Sequence, residues 1–325
     1  MIHARLLMLL ISLLCVAPIF TAHAYAAEQL VAFCSPPAGG GGYVLVVGMV
    51  NTVNKYMPAG AKLVHEATTG TLEMVRRLQN AYSQKKPMLA DFGTPDGWNA
   101  YKGEAEYKGR PFSELRSISF NQLVDLYLVV PANSPIKSYA DLKGKRISMG
   151  GAGSTVSTLG YLTLDHYGVT KKDFKPYYFV YKETIEGIGD GSLDGGFFAG
   201  GYPMASYMEL STTKNVRIVP VDDTIGKRLV AEHPGHIQGM VKAKSYRGIE
   251  QDTPIVGWTG AIWTHAGTSP EIVYNFTKTL FEHKEEYYQI HRDARALTVE
   301  DATKTIRVPF HPGAERYLRE VGAIM

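Results

Sequence analysis

Arg146-Ile147-Ser148-Met149-Gly150-Gly151-Ala152-Gly153-Ser154-Thr155-Val156-Ser157 is the stretch that decides the fold. Its first four residues read as a short strand. The glycine, serine and threonine residues that follow open a helical pattern, which runs to about Tyr167 and stops at Gly168. Glycine is common just past a helix end, because it takes left-handed backbone angles at no steric cost. A strand, a glycine-rich loop and a helix in that order form the repeating unit of a mostly parallel α/β sheet.

The same unit recurs on the N-terminal side. Gln29 to Cys34 reads as a strand, residues 35–42 as a Pro- and Gly-rich loop, and Tyr43 to Tyr56 as a helix with Val44, Val47, Val50 and Val53 at helical spacing. Lys62 to Ala67, the loop Thr68-Thr69-Gly70-Thr71 and the helix Leu72 to Ala81 repeat it. Downstream, Tyr178 to Val180 reads as a strand, Thr184 to Gly189 as a short helix, and Gly196 to Gly200 as a strand running into a loop. Val124 to Pro131 and Ile255 to His265 read as longer strands. Ser269-Pro270 opens a helix with Val273, Phe276, Leu280 and Phe281 on one face, and a last helix spans Glu315 to Val321. The middle of the chain thus reads as one α/β lobe inserted into another: residues 27–124 with 247–325 form lobe 1 and 125–246 form lobe 2, hinged where the long strands cross.

Residues 1–26 have the order of a secretory signal peptide: basic Arg5, an apolar run from Leu6 to Phe20, and the small-x-small pattern Ala22-His23-Ala24. The apolar run is shorter than the ~20 residues a spanning helix needs. Export and a periplasmic location are therefore expected. Once that segment is removed, Cys34 is the only cysteine, which excludes an internal disulfide, and a chain of this size can rely on its core instead. The 34 basic and 31 acidic residues nearly balance and form no basic stripe, so nucleic acid is not an expected partner.

The candidate binding residues lie on three strand-to-helix loops. Ligands of open α/β sheets bind outside the carboxyl ends of the strands, and helix starts offer free N–H groups and partial positive charge to an anion. The first loop offers Gly40, Gly41, Gly42 and Tyr43; the second offers Thr69, whose hydroxyl equally suits helix capping; the third offers Gly153, Ser154, Thr155 and Ser157. The third loop lacks the Gly-Lys-Ser/Thr of a phosphate loop, and Val156 stands where a nucleophile elbow requires glycine. No catalytic set assembles, so an enzyme is not expected. His233-Pro234-Gly235-His236 brings two imidazoles into one turn, but zinc needs three or four ligands and no partner pair is evident, so neither metal nor cofactor is expected.

Together these segments resemble the TAXI family of solute-binding proteins, which serve TRAP transporters. The resemblance rests on Gly42-Tyr43, on Thr69-Gly70-Thr71, on residues 141–147 followed by Gly153-Ser154-Thr155, on residues 190–198 followed by Gly201-Tyr202-Pro203, and most specifically on Pro309-Phe310-His311-Pro312-Gly313-Ala314 with Tyr317, Glu320 and Gly322. It implies a two-lobed, type II-like periplasmic-binding-protein fold that closes on a small ligand by hinge motion. It also implies a glutamate-like or other carboxylate as ligand, delivery to the membrane subunits of an ion-gradient-driven transporter, and roles for Phe198, Gly201 and Pro203 in shaping the site. The chain departs from the family pattern at Val156, at Met74 and at residues 91–96. A periplasmic module regulating a membrane sensor is the alternative on the same fold; an exported hydrolase or metalloenzyme is a more distant one.

Overall fold

The structure, a computed structural model, describes residues 28–201 and 204–325. The expected signal segment and the site residue Pro203 lie outside the described residues. In chain order the first elements are β1 (Gln29–Ser35), α1 (Gly41–Tyr56), β2 (Ala61–Ala67), α2 (Thr71–Ser83), β3 (Met88–Gly93), α3 (Thr94–Lys102) and β4 (Leu115–Pro131). Next come β5 (Arg146–Ser148), α4 (Thr155–His166), β6 (Lys175–Tyr177), α5 (Tyr181–Asp190), β7 (Gly195–Gly200), α6 (Ala205–Thr213), β8 (Val216–Val219), α7 (Asp223–Glu232) and β9 (His236–Val241). The chain closes with β10 (Thr253–His265), α8 (Pro270–Glu282), α9 (Lys284–Tyr287) and α10 (Pro312–Glu320).

The strands join in the order β2-β1-β3-β10-β4-β7-β5-β6, with β8 on β4 and β9 on β10. β1 pairs in parallel with both β2 and β3, and β5 in parallel with both β6 and β7, so each half of the sheet carries its own parallel set. The two halves are stitched by β4 and β10, which run antiparallel and belong to both. The N-terminal part of β4 pairs with β10 and makes a single parallel bridge from Ser117 to Phe310; from Asp125 onward it also takes β7 and then β8. β10 meets β3 at Gly260 to Trp263 and β9 at Thr253 to Trp258. Where the two strands cross between halves, a Cβ on Gly257 would lie 2.1 Å from the Val124 carbonyl oxygen, so only glycine allows this approach.

Each half buries apolar side chains on both faces of its sheet, as a covered parallel sheet requires. In the first, α1, α8 and α10 pack Val46, Met49, Phe276 and Leu318 on one face, while Met74, Leu78, Phe92 and Trp263 fill the other. In the second, Leu159 and Leu164 of α4 meet Leu229 of α7 over Ile147 and Phe197, and Tyr207 and Leu210 of α6 cover the opposite face. The fold is the expected two-lobed α/β arrangement, with one lobe inserted in the other.

Several elements differ from the sequence reading. β4 begins at Leu115, well before Val124, because its first half is an interior strand of lobe 1. β6 lies at Lys175–Tyr177, and Val180 is the N-cap of α5; the aromatic pair Tyr178-Phe179 attracts a strand assignment but borders a helix start. The last helix starts at Pro312, with the His311 imidazole accepting a hydrogen bond from the Gly313 amide.

Candidate functional site

The carboxyl ends of β1, β3, β5 and β7 and the crossing of β4 with β10 enclose a cleft of about 750 Å³, part of it open to solvent. Three helices start on its wall. α1 begins at Gly41 behind Gly40, which has no side chain to cap it, and no acidic residue stands in its first turn. Among the described residues none hydrogen-bonds to its first N–H groups, though Asp91 Oδ2 would lie 3.3 Å from a Cβ on Gly42 and Asp293 Oδ2 3.8 Å from one on Gly41. α2 begins at Thr71 behind Gly70 (φ +149°), but Glu73 already accepts hydrogen bonds from the Thr69 amide and hydroxyl, both in the 2.7–2.8 Å range, and so occupies that helix start. α4 is capped by Ser154, whose Oγ accepts from the Ser157 amide at 3.2 Å. Of the three, α1 alone has neither a side-chain cap nor an acidic residue in its own first turn.

The remaining wall is largely apolar: Pro36 and Pro37 after β1, Met74 on α2, Phe92 on β3, Val124 on β4, Val156 on α4, Phe179 and Tyr181 around the start of α5, and Trp258 on β10. Tyr181 turns its hydroxyl away, donating to the Ala199 carbonyl at 3.1 Å, so it offers the cleft a ring face. No Arg, Lys or His stands among the described residues of the wall. The acidic group there is Asp91, fully buried, accepting one hydrogen bond from Asn121 Nδ2 and one from Gln122 Nε2, each at 2.9 Å. Burial pushes its pKa up to about 7, against the lowering effect of the two amides.

At one side a chain of hydroxyls crosses from lobe to lobe. Thr155 Oγ1 donates to Asp96 Oδ2 at 2.6 Å and lies 3.0 Å from Thr71 Oγ1. With the Thr155 proton committed to Asp96, Thr71 is the donor in the second bond. Ser206 Oγ reaches across to the Gly39 carbonyl at 2.9 Å. These bonds join the lobes directly, so the cleft is in a closed arrangement. Burial raises Asp96 to about 6, with the Thr155 hydrogen bond opposing the shift.

Of the residues expected at the site, Gly40, Gly41, Gly42, Ser154 and Thr155 line the cleft together. Tyr43 turns to the other side of α1, edge-on to His65 with ring centroids 4.9 Å apart. Thr69 is exposed and bonded to Glu73. Gly153 (φ +66°) packs on Leu72, and a Cβ there would meet Leu72 Cδ1 at 2.0 Å. Ser157 returns its hydroxyl to the Ser154 carbonyl at 2.8 Å. Phe198 is fully buried and stacks behind Tyr181, ring centroids 5.7 Å apart, while Gly201 lies against Asp293. The wall residues Gln122, Phe179 and Trp258 escape the sequence reading, which leaves open whether Asp91, Asp96 or Trp98 reaches the cleft; Asp91 does. A buried aspartate inside the apolar run Met88–Gly93 is the one available signal; Gln122 and Trp258 stand in mid-strand, where no motif marks them.

Asp96 and Trp98 face a second hollow on the far side of Thr155, about 1830 Å³ and widely open to solvent. It is lined by charged groups from both lobes, among them Glu106, Asp165, Lys171, Glu232 and Arg307.

The two lobes and the cleft between them define the class of the two-lobed periplasmic-binding-protein fold. The chain belongs to the NMT1-like family, which matches residues 33–322. Among solved structures it is similar to MatC from Rhodopseudomonas palustris with bound malate, at 13% identity and a TM-score of 0.56, with 90% of this chain and 97% of that one covered. It is also similar to a periplasmic transporter protein at 12% identity and a TM-score of 0.54, covering 92% and 94% of the two chains. A TctC solute-binding protein from Polaromonas matches at 16% identity and a TM-score of 0.48, over 92% of this chain and 100% of that one.

Proposed function

We propose that this protein is an extracytoplasmic receptor that closes on a small organic acid and hands it to a membrane transporter. Its carboxylate sits on the free N–H groups of Gly41 and Gly42 at the start of α1, and its apolar body lies between Phe92, Phe179 and Trp258. The observation that carries this reading is the uncapped, glycine-built start of α1 opening into an apolar cleft whose described wall has no cationic side chain. Such a site recognises one negative charge through backbone donors and has little to offer a second. A monocarboxylate with an apolar body therefore fits better than a glutamate-like dicarboxylate. The hinge is the β4–β10 crossing, with lobe limits near 124/125 and 246/247, and the segment Pro309–Ala314 supports a TRAP-type transporter as the recipient.

The test is isothermal titration with three matched sets: aliphatic and aromatic monocarboxylates, their uncharged primary amides, and dicarboxylates of equal length. The reading expects the acids to bind at least about tenfold tighter than their amides, a difference of roughly 1.4 kcal/mol. Amides binding as well as acids would overturn carboxylate recognition; dicarboxylates binding tightest would overturn the single-charge site.

A further inference from the structure

A second site lies on lobe 2, away from the cleft. His166 is the last residue of α4, Glu232 the last of α7, and His233 caps α7. The imidazole nitrogens of the two histidines and a carboxylate oxygen of Glu232 all stand within 4.8 Å of one another. His166 Nε2 is 3.3 Å from Glu232 Oε2. Tetrahedral zinc ligands ~2.0–2.1 Å from the ion are themselves about 3.3 Å apart, so only small side-chain rotations separate this arrangement from a coordination sphere.

The orientation of His166 sharpens the case. Its Nδ1 lies 2.9 Å from the Leu162 carbonyl oxygen, which can only accept, so Nδ1 carries the hydrogen. In the neutral ring Nε2 then presents a lone pair to a carboxylate oxygen. Two acceptors face each other at hydrogen-bond distance, which is repulsive unless a second proton or a cation lies between them. A ring held by its other nitrogen on a backbone carbonyl is the usual support of a metal-bound histidine. The side chain of His166 is only 6% exposed, while Glu232 at 54% gives an ion a way in. Two helix C-termini converge here, and the negative ends of their dipoles favour a cation. The neighbouring cation Arg228 donates to the His166 carbonyl rather than filling the space.

We infer that His166, Glu232 and His233 bind a divalent transition metal of the zinc class, leaving an outer position for water. Two imidazoles and one carboxylate suit zinc, and geometry rather than raw affinity selects among such ions. The adjacent His236 stands outside this group of ligand atoms, with its ring centroid 6.1 Å from that of His233. The sequence offers no partner for the turn at residues 233–236 at short spacing; the fold supplies one from α4.

The experiment uses tag-free, chelator-treated protein titrated with zinc chloride in a metal-buffered solution, with bound zinc counted by elemental analysis. About one zinc per chain is expected, with affinity reduced at least about tenfold in His166→Ala and in His233→Ala and unchanged in His236→Asn. Circular dichroism of each variant confirms that it is folded. No zinc retained by the wild-type protein would overturn the assignment. So would wild-type affinity retained in both His166→Ala and His233→Ala, which would place any bound ion elsewhere.

Discussion

The two hollows on either side of Thr155 are built from opposite materials. The front cleft is narrow, rich in glycine and aromatic rings, and has one buried carboxyl group and no described cationic side chain on its wall. The rear hollow is wide, open and lined by acids and bases from both lobes. Water-exposed charges attract weakly and without geometric precision, because solvent screens them. Backbone N–H groups in a dry cleft are fixed in direction and little screened. The contrast teaches why the proposed receptor reading puts recognition in the front cleft: directed backbone donors stand there, and screened charges stand in the rear hollow.

The largest effect is expected from removing the front wall. Trp258 is 6% exposed and supports both the cleft and the lobe 2 core. Trp258→Ala should cost about 3–5 kcal/mol of stability and abolish measurable acid binding. Denaturant unfolding and titration calorimetry check this; intact binding in the alanine variant would move the site out of the front cleft.

Thr155 comes next, because it divides the two hollows. Thr155→Val keeps the volume but leaves the buried Asp96 carboxyl without its donor and Thr71 without its acceptor. An unsatisfied buried polar group costs about 1–3 kcal/mol. Only the closed form makes these bonds, so the loss should appear as weaker ligand binding and, by small-angle scattering, as a larger population of open molecules. Unchanged affinity would show that the hydroxyl chain is not part of closure.

Asp91 gives the front cleft a pH dependence. Its folded pKa of about 7 lies above the ordinary value of 3.8. Between those values the folded state holds the proton more firmly than the unfolded chain. The stabilisation is complete below about pH 4 and is lost as pH rises toward 7. Asp91→Asn should flatten this part of the stability profile. Acid binding should tighten from pH 8 to pH 6, since a neutral Asp91 no longer repels the ligand's carboxylate, and the asparagine variant should lose that slope. A slope that persists in Asp91→Asn would assign it to another group.

How much of this was legible in the sequence follows from the same contrast. Glycines and hydroxyl residues at helix starts announce themselves, which is why Gly40, Gly41, Gly42, Ser154 and Thr155 can be read as loop residues of one site. Whether such a residue faces the ligand or its own helix depends on one rotamer. Thr69 turns to Glu73 and Ser157 to the Ser154 carbonyl, and spacing alone could not separate them from Ser154. Asp91, Gln122 and Trp258 sit within strands, where alternation marks burial without saying which buried face meets a cleft. Their role is set by β10 lying between β3 and β4, pairings between residues roughly 130 to 170 apart that leave no local trace.

The smallest effect is expected from the rear hollow, and it is the sharpest test of the contrast because it should leave binding untouched. Arg307 lies over the Trp98 ring with its guanidinium carbon 4.2 Å from the centroid, on the lobe 1 side of that hollow. Arg307→Ala removes a cation–π contact worth ~0.5–1 kcal/mol at an exposed site. Its melting temperature should fall slightly while the affinity for monocarboxylates stays within twofold of wild type, equivalent to about 0.4 kcal/mol. If affinity drops tenfold with little change in stability, then a cation in the rear hollow reaches the ligand. The carboxylate would have to sit beyond Thr155 rather than on α1, and the division of labour between the two hollows would be reversed.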